Sequence, residues 1–357
     1  MKNWYAFGLA AAAFAAISGC NGGGDTTAPA TTGQTANAPT GGAPGAAKKK
    51  DYKITMIAKS NDNPVFQAAK TGAEAEAKID GEKNGVNITI DWETPDKEDG
   101  QEQASRIASA VNNGADCILL SCSDAGKVTG AINDAVAKGI PVMTFDSDAP
   151  NSKRFAFYGA DDTDAGTQVM DELANVAKGK KLEVAILAGN ENAPNLQKRS
   201  AAVIAEAKKY PNVTIQGTYH HNEATQDATA EVIKDDNAHP EINAWAMVGG
   251  WPLFGPGLMK LSPATYSIVS IDALPHELPY VDSGIAPVLL AQPVYDWGAK
   301  SIDIITDHVI LGKDVPVVTK MPLVKVTKDN LGTWAQQLKT WGFDVDQKYL
   351  AMAPAKK

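Results

Sequence analysis

The chain has 357 residues, of which 44% are hydrophobic, and it carries a net charge of −9. An acidic chain lacks the basic face that a phosphate backbone requires, which argues against nucleic acid as its partner. The roughly 300 residues that follow Asp51 are enough for two lobes with separate cores.

The N-terminus has the pattern of an export signal. A basic start, Met1–Asn3, precedes an apolar run that ends at Ile17, and Ile17-Ser18-Gly19-Cys20 follows. This order is typical of a secretory signal, and a Cys directly after small residues is typical of a bacterial lipoprotein. We therefore predict a signal peptide over residues 1–19 and a lipid on Cys20. An ordinary signal peptide and a transmembrane helix are the alternatives, although a span needs ~20 apolar residues.

A low-complexity segment follows the predicted lipid site. Residues 20–50 are mostly Gly, Ala, Thr, Pro, Asn and Gln, and they offer few bulky apolar side chains to bury. We predict a disordered tether here. Together, signal, lipid and tether predict a protein of the periplasm or cell envelope that is anchored to a membrane.

The first half of the remaining chain alternates β-rich and helical stretches. Strands are predicted at 53–58, 86–92, 117–120 and 140–145, with Asn63-Pro64 starting the first helix as N-cap and first helical residue. Apolar residues between the strands recur at helical spacing. This β-α-β-α-β-α-β order predicts an open parallel sheet.

Cys117 and Cys122 lie on or beside the third of these strands. Extended backbone separates them by roughly 16 Å, which is too far for a disulfide. We predict two buried thiols and a fold that does not depend on disulfides.

The same pattern then starts again. Helices are predicted at 163–177, 201–209 and 228–233, and strands at 184–187, 213–219, 244–248 and 268–271. Two successive halves of this kind predict an α/β protein with two Rossmann-like lobes. Ligands of such sheets bind beyond the carboxyl ends of the strands. Polar residues follow nearly every predicted strand, so we expect a polar cleft there.

Several segments, taken in order and spacing, carry a family resemblance. They are Asn63-Pro64-Val65-Phe66, the stretch from Gly139 to Pro150, His239-Pro240-Glu241, the stretch from Gly249 to Pro256, Ile271-Asp272 and Ala291-Gln292-Pro293. Residues 51–325 resemble the type I periplasmic sugar-binding proteins, the branch like the ribose-binding proteins of ABC importers. Repressors of the lac type share that fold, but they begin with a helix-turn-helix, where this chain has its export signal and tether.

The resemblance implies two lobes that are joined by a hinge of three crossing strands. The crossings are expected near Gly159-Ala160, Ala291-Gln292 and Leu323-Val324. The N-lobe would hold residues 51–159 and 293–322, the C-lobe residues 160–292 and 323–345, and a tail would follow over 346–357.

The resemblance also implies a monosaccharide between the lobes. Sugar hydroxyls both donate and accept hydrogen bonds, and the C–H faces of the ring pack on aromatic planes. Asn63 is expected to donate, Phe66 to stack, and Asp146 and Asp272 to accept. Ser147 stands where ribose-binding members commonly have Arg, so ribose is not assigned. The predicted ligand-binding residues are Asn63, Phe66, Ser121, Asp146, Ser147, Asn195, Arg199, Glu223, Trp251, Asp272 and Gln292.

The predicted function is a lipid-anchored monomeric receptor that delivers a monosaccharide to the permease subunits of an ABC importer. A receptor for a sensor kinase or chemoreceptor and a binder of a polyol-like ligand are the alternatives. No enzyme, cofactor or metal site is predicted, because the sequence has no GxSxG, HExxH or phosphate-loop motif. His220, His221 and Glu223 by themselves lack the ligand spacing of a zinc site.

Overall fold

The structure is a computed structural model that describes residues 49–354. The predicted signal peptide, Cys20 and the tether up to residue 48 lie outside the described residues. Within residues 49–354, no helix is both long and apolar enough to cross a membrane.

The described chain forms twelve strands and ten α-helices. The strands are β1 (Asp51–Ile57), β2 (Asn87–Trp92), β3 (Cys117–Leu120), β4 (Val142–Phe145), β5 (Ala156–Ala160), β6 (Leu182–Ala188), β7 (Val213–His220), β8 (Ala244–Met247), β9 (Ser267–Ile271), β10 (Val288–Ala291), β11 (Val318–Met321) and β12 (Val324–Val326). The helices are α1 (Pro64–Asn84), α2 (Gly100–Asn112), α3 (Ala125–Ala137), α4 (Asp162–Ala177), α5 (Pro194–Ala207), α6 (Thr225–Ala238), α7 (Leu278–Ser283), α8 (Val294–Ile305), α9 (Leu331–Thr340) and α10 (Gln347–Leu350).

The strands form two sheets that repeat one topology. The first sheet has the order β11-β5-β4-β3-β1-β2, and the second has the order β12-β10-β9-β8-β6-β7. All pairs in the first sheet are parallel, while the second is parallel except for the antiparallel β12. The predicted fold class, two α/β lobes with parallel sheets, is confirmed.

Helices cover both faces of the central strands, which explains why β3 and β4 are buried throughout and apolar apart from Thr144. The buried side chains of the first sheet form one cluster around Phe145 and Trp297 and another around Ile118 and Ile132. Cys117 and Cys122 are buried free thiols, as predicted. Burial raises the pKa of both thiols.

Two glycines let α1 and α8 pack backbone to backbone beneath the first sheet. A Cβ at Gly72 would collide with the carbonyl oxygen of Tyr295, and a Cβ at Gly298 would collide with that of Ala69. A helix from late in the sequence therefore completes the core that β1 begins.

The chain passes between the two sheets three times. It does so after β5, after β10, and through Pro322-Leu323 between β11 and β12. Beyond β12, α9 and α10 pack on the second sheet. Tyr349 on α10 is buried in the core of that sheet, so part of the predicted tail is ordered structure.

Candidate functional site

The loops beyond the carboxyl ends of the strands carry a cluster of buried polar side chains. Asp146 directly follows β4 and Asp272 directly follows β9, and they are 4% and 6% exposed. Both have a left-handed backbone, with φ of 55° and 76°. Non-glycine residues seldom adopt this conformation, and it concentrates at functional sites.

Asp146 connects the loops of the two sheets. Its Oδ2 accepts a hydrogen bond from the Ser121 hydroxyl at 2.7 Å, and its Oδ1 accepts one from Nδ2 of Asn195 on α5 at 3.3 Å. Burial raises the pKa of Asp146, while the nearby charges of Lys59 and Arg199 act in the opposite direction. The carboxylate is thus an acceptor that is shared by both halves of the molecule.

A second chain of hydrogen bonds runs through Arg199, which is 2% exposed. Its guanidinium donates to Oδ1 of Asp162 at 2.9 Å, to the Val248 carbonyl at 3.1 Å and to Oε1 of Gln292 at 3.0 Å. Nε2 of Gln292 in turn donates to Oδ1 of Asp272 at 2.8 Å. Burial by itself lowers the pKa of Arg199, but the surrounding carboxylates outweigh it and raise that pKa.

Residues 201–207 of the predicted helical stretch 201–209 lie in a longer helix. In the structure α5 starts at Pro194, so Asn195 and Arg199 lie on its first two turns and face the cluster. Proline at the first helical position is the signal for this start, because its missing N–H would have no partner there in any case.

Lys59 is a member of the cluster that the sequence analysis missed. It follows β1, is 2% exposed, and donates from Nζ to Oδ1 of Asn195 at 3.3 Å. Nζ also lies 3.7 Å from Oε1 of Glu98 and 3.9 Å from Oε1 of Glu223. Burial alone lowers the pKa of Lys59, but Glu223, Glu98 and Asp146 together raise it, so the ammonium stays charged. Its position after the first strand was the available signal, because polar residues also follow nearly every other strand.

An open cavity of about 1080 Å³ lies beside this cluster. Loops of both sheets line it, and Asn63, Glu98, His221, Glu223 and Phe254 are among the lining residues. Oδ1 of Asn63 accepts from the backbone N–H of Val65 and caps α1. The cavity is slightly larger than the usual size range for small-molecule sites, about 300–1,000 Å³.

Of the eleven predicted ligand-binding residues, Asn63 and Glu223 line this cavity. Phe66 packs in the first core, with its ring centroid 6.0 Å from that of Trp297 and 6.3 Å from that of Phe145. Trp251 is 5% exposed in the second half, and it meets the His221 ring edge-on. Phe254, by contrast, lines the cavity.

Ser147 is fully buried next to Asp146, and within residues 49–354 its hydroxyl has no hydrogen-bond partner. His220 approaches the Gly189 carbonyl through Nδ1 at 3.0 Å. Burial lowers the pKa of His221, which keeps this imidazole neutral near pH 7.

Residues 54–314 match the family model described as "Periplasmic binding protein domain". The chain belongs to this family. The resemblance seen in the sequence is therefore confirmed. Among curated relatives, the ribose import binding protein of Bacillus subtilis (strain 168) is 29% identical to this chain over 139 residues. That match covers 38% of this chain and 43% of the relative.

A second relative is the D-apiose import binding protein of Actinobacillus succinogenes, 24% identical over 189 residues. This match covers 53% of the chain and 59% of the relative. The chain thus spans about half the length of the curated relatives that it matches.

Solved structures align over nearly their whole length. A glucose-galactose binding protein from Geobacillus stearothermophilus is 26% identical with a TM-score of 0.72, and the match covers 79% of this chain and 99% of that one. An ABC transporter solute-binding protein from Agrobacterium vitis with bound D-fucose is 21% identical with a TM-score of 0.73, covering 80% and 98%. The second likeness shows the shared fold.

Proposed function

We propose that this protein captures one monosaccharide between its two lobes and delivers it to an ABC importer from outside the cytoplasm. The observation that carries the proposal is the pair of aspartates, Asp146 and Asp272, which two hydrogen-bonded networks hold in the same buried cluster. The family and the bound sugars named for solved relatives support the same reading.

The chemistry of the cluster suits a polyhydroxyl ligand. Carboxylates accept hydrogen bonds from sugar hydroxyls, while Lys59, Asn195 and Arg199 donate to hydroxyl oxygens, and charged partners strengthen both kinds of bond. The contacts from Lys59 to Asn195 and from Asn195 to Asp146 are both 3.3 Å, longer than a typical hydrogen bond. Replacing these weak contacts with hydrogen bonds to a sugar therefore costs little free energy.

We assign the binding roles to the predicted residues and to Lys59. Asp146 and Asp272 accept from hydroxyls, Arg199 and Lys59 donate, and Phe254 is the better candidate for ring packing. The other proposed contacts are Asn63, Ser121, Ser147, Asn195, Glu223, Trp251 and Gln292.

The three connections between the sheets support a hinge about which the lobes close on the ligand. We keep the N-lobe at residues 51–159 and 293–322 and the C-lobe at 160–292 and 323–345, with a tail over 346–357. Ligand binding would shift the population towards the closed form, which the permease subunits recognise.

Titration calorimetry against pentoses, hexoses and polyols tests the proposed function. We expect one site per monomer, and a rise in melting temperature with the bound sugar, because only the folded form binds it. Recovery of the ligand unchanged after incubation supports a receptor without enzymatic activity. Absence of binding to every compound of the panel would refute the proposal.

We also propose that Cys20 carries a lipid and that residues 20–50 act as a tether. Expression of the chain with Cys20→Ser, followed by separation of membrane and soluble fractions, tests the anchor. The unchanged chain is expected with the membranes and the variant in the soluble fraction. An unchanged distribution would contradict lipidation at Cys20.

Reconstitution with candidate partners separates an importer from a signalling receptor. Stimulation of ATP hydrolysis by a permease complex supports import. Stimulation of a sensor kinase or chemoreceptor would support the alternative instead.

A further inference from the structure

Two carboxylates from opposite sheets meet at the cavity. Glu98 lies beyond β2 of the first sheet and Glu223 beyond β7 of the second, and both line the cavity. Their side chains are 10% and 6% exposed. Gly189 makes room for Glu223, since a Cβ at position 189 would lie 2.7 Å from its Cγ.

The positive charge beside this pair is not hydrogen-bonded to it. Lys59 is the ammonium that faces both carboxylates, but it lies beyond hydrogen-bond length from each and donates to Asn195 instead. Among the described residues, Oε1 of Glu98 has no hydrogen-bond partner. A buried carboxylate oxygen of this kind carries a desolvation cost that a cationic donor would remove.

The surroundings of Glu98 favour its protonated form. Burial, with the neighbouring charge of Glu223, raises the pKa of Glu98 to about 8. Ionisation of Glu98 is disfavoured beside a second carboxylate, so Glu98 retains a proton near neutral pH. A ligand cation can take over the role of that proton.

The rest of the lining has the same sign. Asp62, Asp96, Glu191 and Asp227 also line the cavity, whereas Lys97 is the one lysine in its lining as described. A cleft lined by one sign of charge concentrates ligands of the opposite sign and repels anions.

We infer that the cleft takes a polyhydroxyl ligand with an ammonium group, an amino sugar or an amino polyol, and holds that group between Glu98 and Glu223. This inference rests on the proposed function and names its ligand class. The ligand ammonium donates N–H bonds to the two carboxylates, and the proton on Glu98 is released to solvent. Acidic sugars such as uronates and sugar phosphates are excluded.

Calorimetry on the purified full-length chain tests the inference. The ligands are D-glucosamine and D-galactosamine, each compared with its parent sugar and with its neutral N-acetyl derivative. We expect each amino sugar to bind at least tenfold more tightly than its parent. Repeating the titration in buffers of different ionisation enthalpy should reveal the released proton.

Two variants locate the recognition. In Glu98→Gln and in Glu223→Gln, the ratio of affinities for the amino and parent sugars should fall towards one. In Glu82→Gln, at an exposed position near the end of α1, that ratio should stay as in the unchanged chain.

The outcomes separate the two proposals. Parent sugars that bind as tightly as their amino forms would overturn the ligand class and leave the sugar-receptor function intact. A preference for amino sugars that survives in both variants would overturn the assigned position of the ammonium group between Glu98 and Glu223. Failure of every sugar to bind would refute both proposals.

Discussion

Asp146 and Asp272 occupy equivalent positions in the two sheets. Each is the first residue after the fourth strand of its sheet, and each has a positive φ. Each also accepts from a side-chain amide that in turn accepts from a buried cation. The two sets are Asp146, Asn195 and Lys59, and Asp272, Gln292 and Arg199. The buried cluster thus contains two matching carboxylate–amide–cation sets.

Asp272→Asn should weaken sugar binding without unfolding the protein. Asn tolerates a left-handed backbone, so the substitution keeps the local conformation while it removes the charge. A hydrogen bond to a charged group contributes about 1.5–3 kcal/mol, so the dissociation constant should rise by roughly 10- to 100-fold. Calorimetry measures this change.

Asp329→Asn, at an exposed position after β12, is the matched control and should leave the dissociation constant unaltered. If Asp146→Asn and Asp272→Asn both retained the original affinity, the assigned site would be wrong.

Arg199→Met should lower the free energy of unfolding by about 3–5 kcal/mol, because it leaves the buried carboxylate of Asp162 without its partner. Adding Asp162→Asn should recover part of this loss, since the unpaired charge is then gone. Urea denaturation of the two single variants and the double variant measures the coupling. Strictly additive effects would contradict the ion pair as the source of the loss.

Stability should depend on pH through Glu98. Its pKa in the folded protein, about 8, is above the ordinary value of 4.5, so the folded state binds more protons between these two pH values. The contribution of Glu98 to the free energy of unfolding should therefore fall as the pH rises from about 4.5 to 8 and level off above. Lys59 stays charged throughout.

Urea denaturation between pH 5 and 9 tests this dependence. The unchanged chain should lose stability relative to Glu98→Gln across that range, most steeply below pH 8. Parallel curves for the two proteins would show that Glu98 ionises normally.

Gly166→Ala should reduce both stability and sugar affinity. A Cβ at position 166 on α4 would collide with the backbone carbonyl of Arg199 on α5, which displaces the helix that carries Asn195 and Arg199. Gly130→Ala on α3 is the control, because no atom lies within 4 Å of the added Cβ. That control should gain up to about 1 kcal/mol from its better helix propensity. Equal effects in thermal melts would contradict the close packing of α4 on α5.

The sequence was most informative where a local pattern and the tertiary structure agree. Apolar runs such as Cys117–Leu120 have the length and composition of buried strands, and the repeated α/β order predicts two sheets. The edge strand β11, by contrast, mixes exposed and apolar residues. It is recognised as a strand only through its pairing with β5.

Part of the candidate site could be predicted from the sequence for a similar reason. Polar residues after strands, such as Asp146 and Asp272, are visible in sequence because the sheet ends are polar. Which aromatic ring reaches the cavity depends on packing, which the sequence does not show. The sequence predicts that Phe66 stacks on the ligand, whereas Phe66 lies against Trp297 in the core. The partnership of Lys59 with Glu98 and Glu223 joins three loops, and no local pattern encodes it.

The close contact between α1 and α8 also constrains how the chain acquires its fold. Trp297 and Ile302 on α8, and the edge strand β11, belong to the first half of the molecule but follow the whole second sheet in sequence. The half that comes first in sequence therefore cannot complete its core until the end of the second half is also present. Folding of the two halves should appear as one cooperative event, and an isolated fragment ending at residue 160 should remain aggregation-prone.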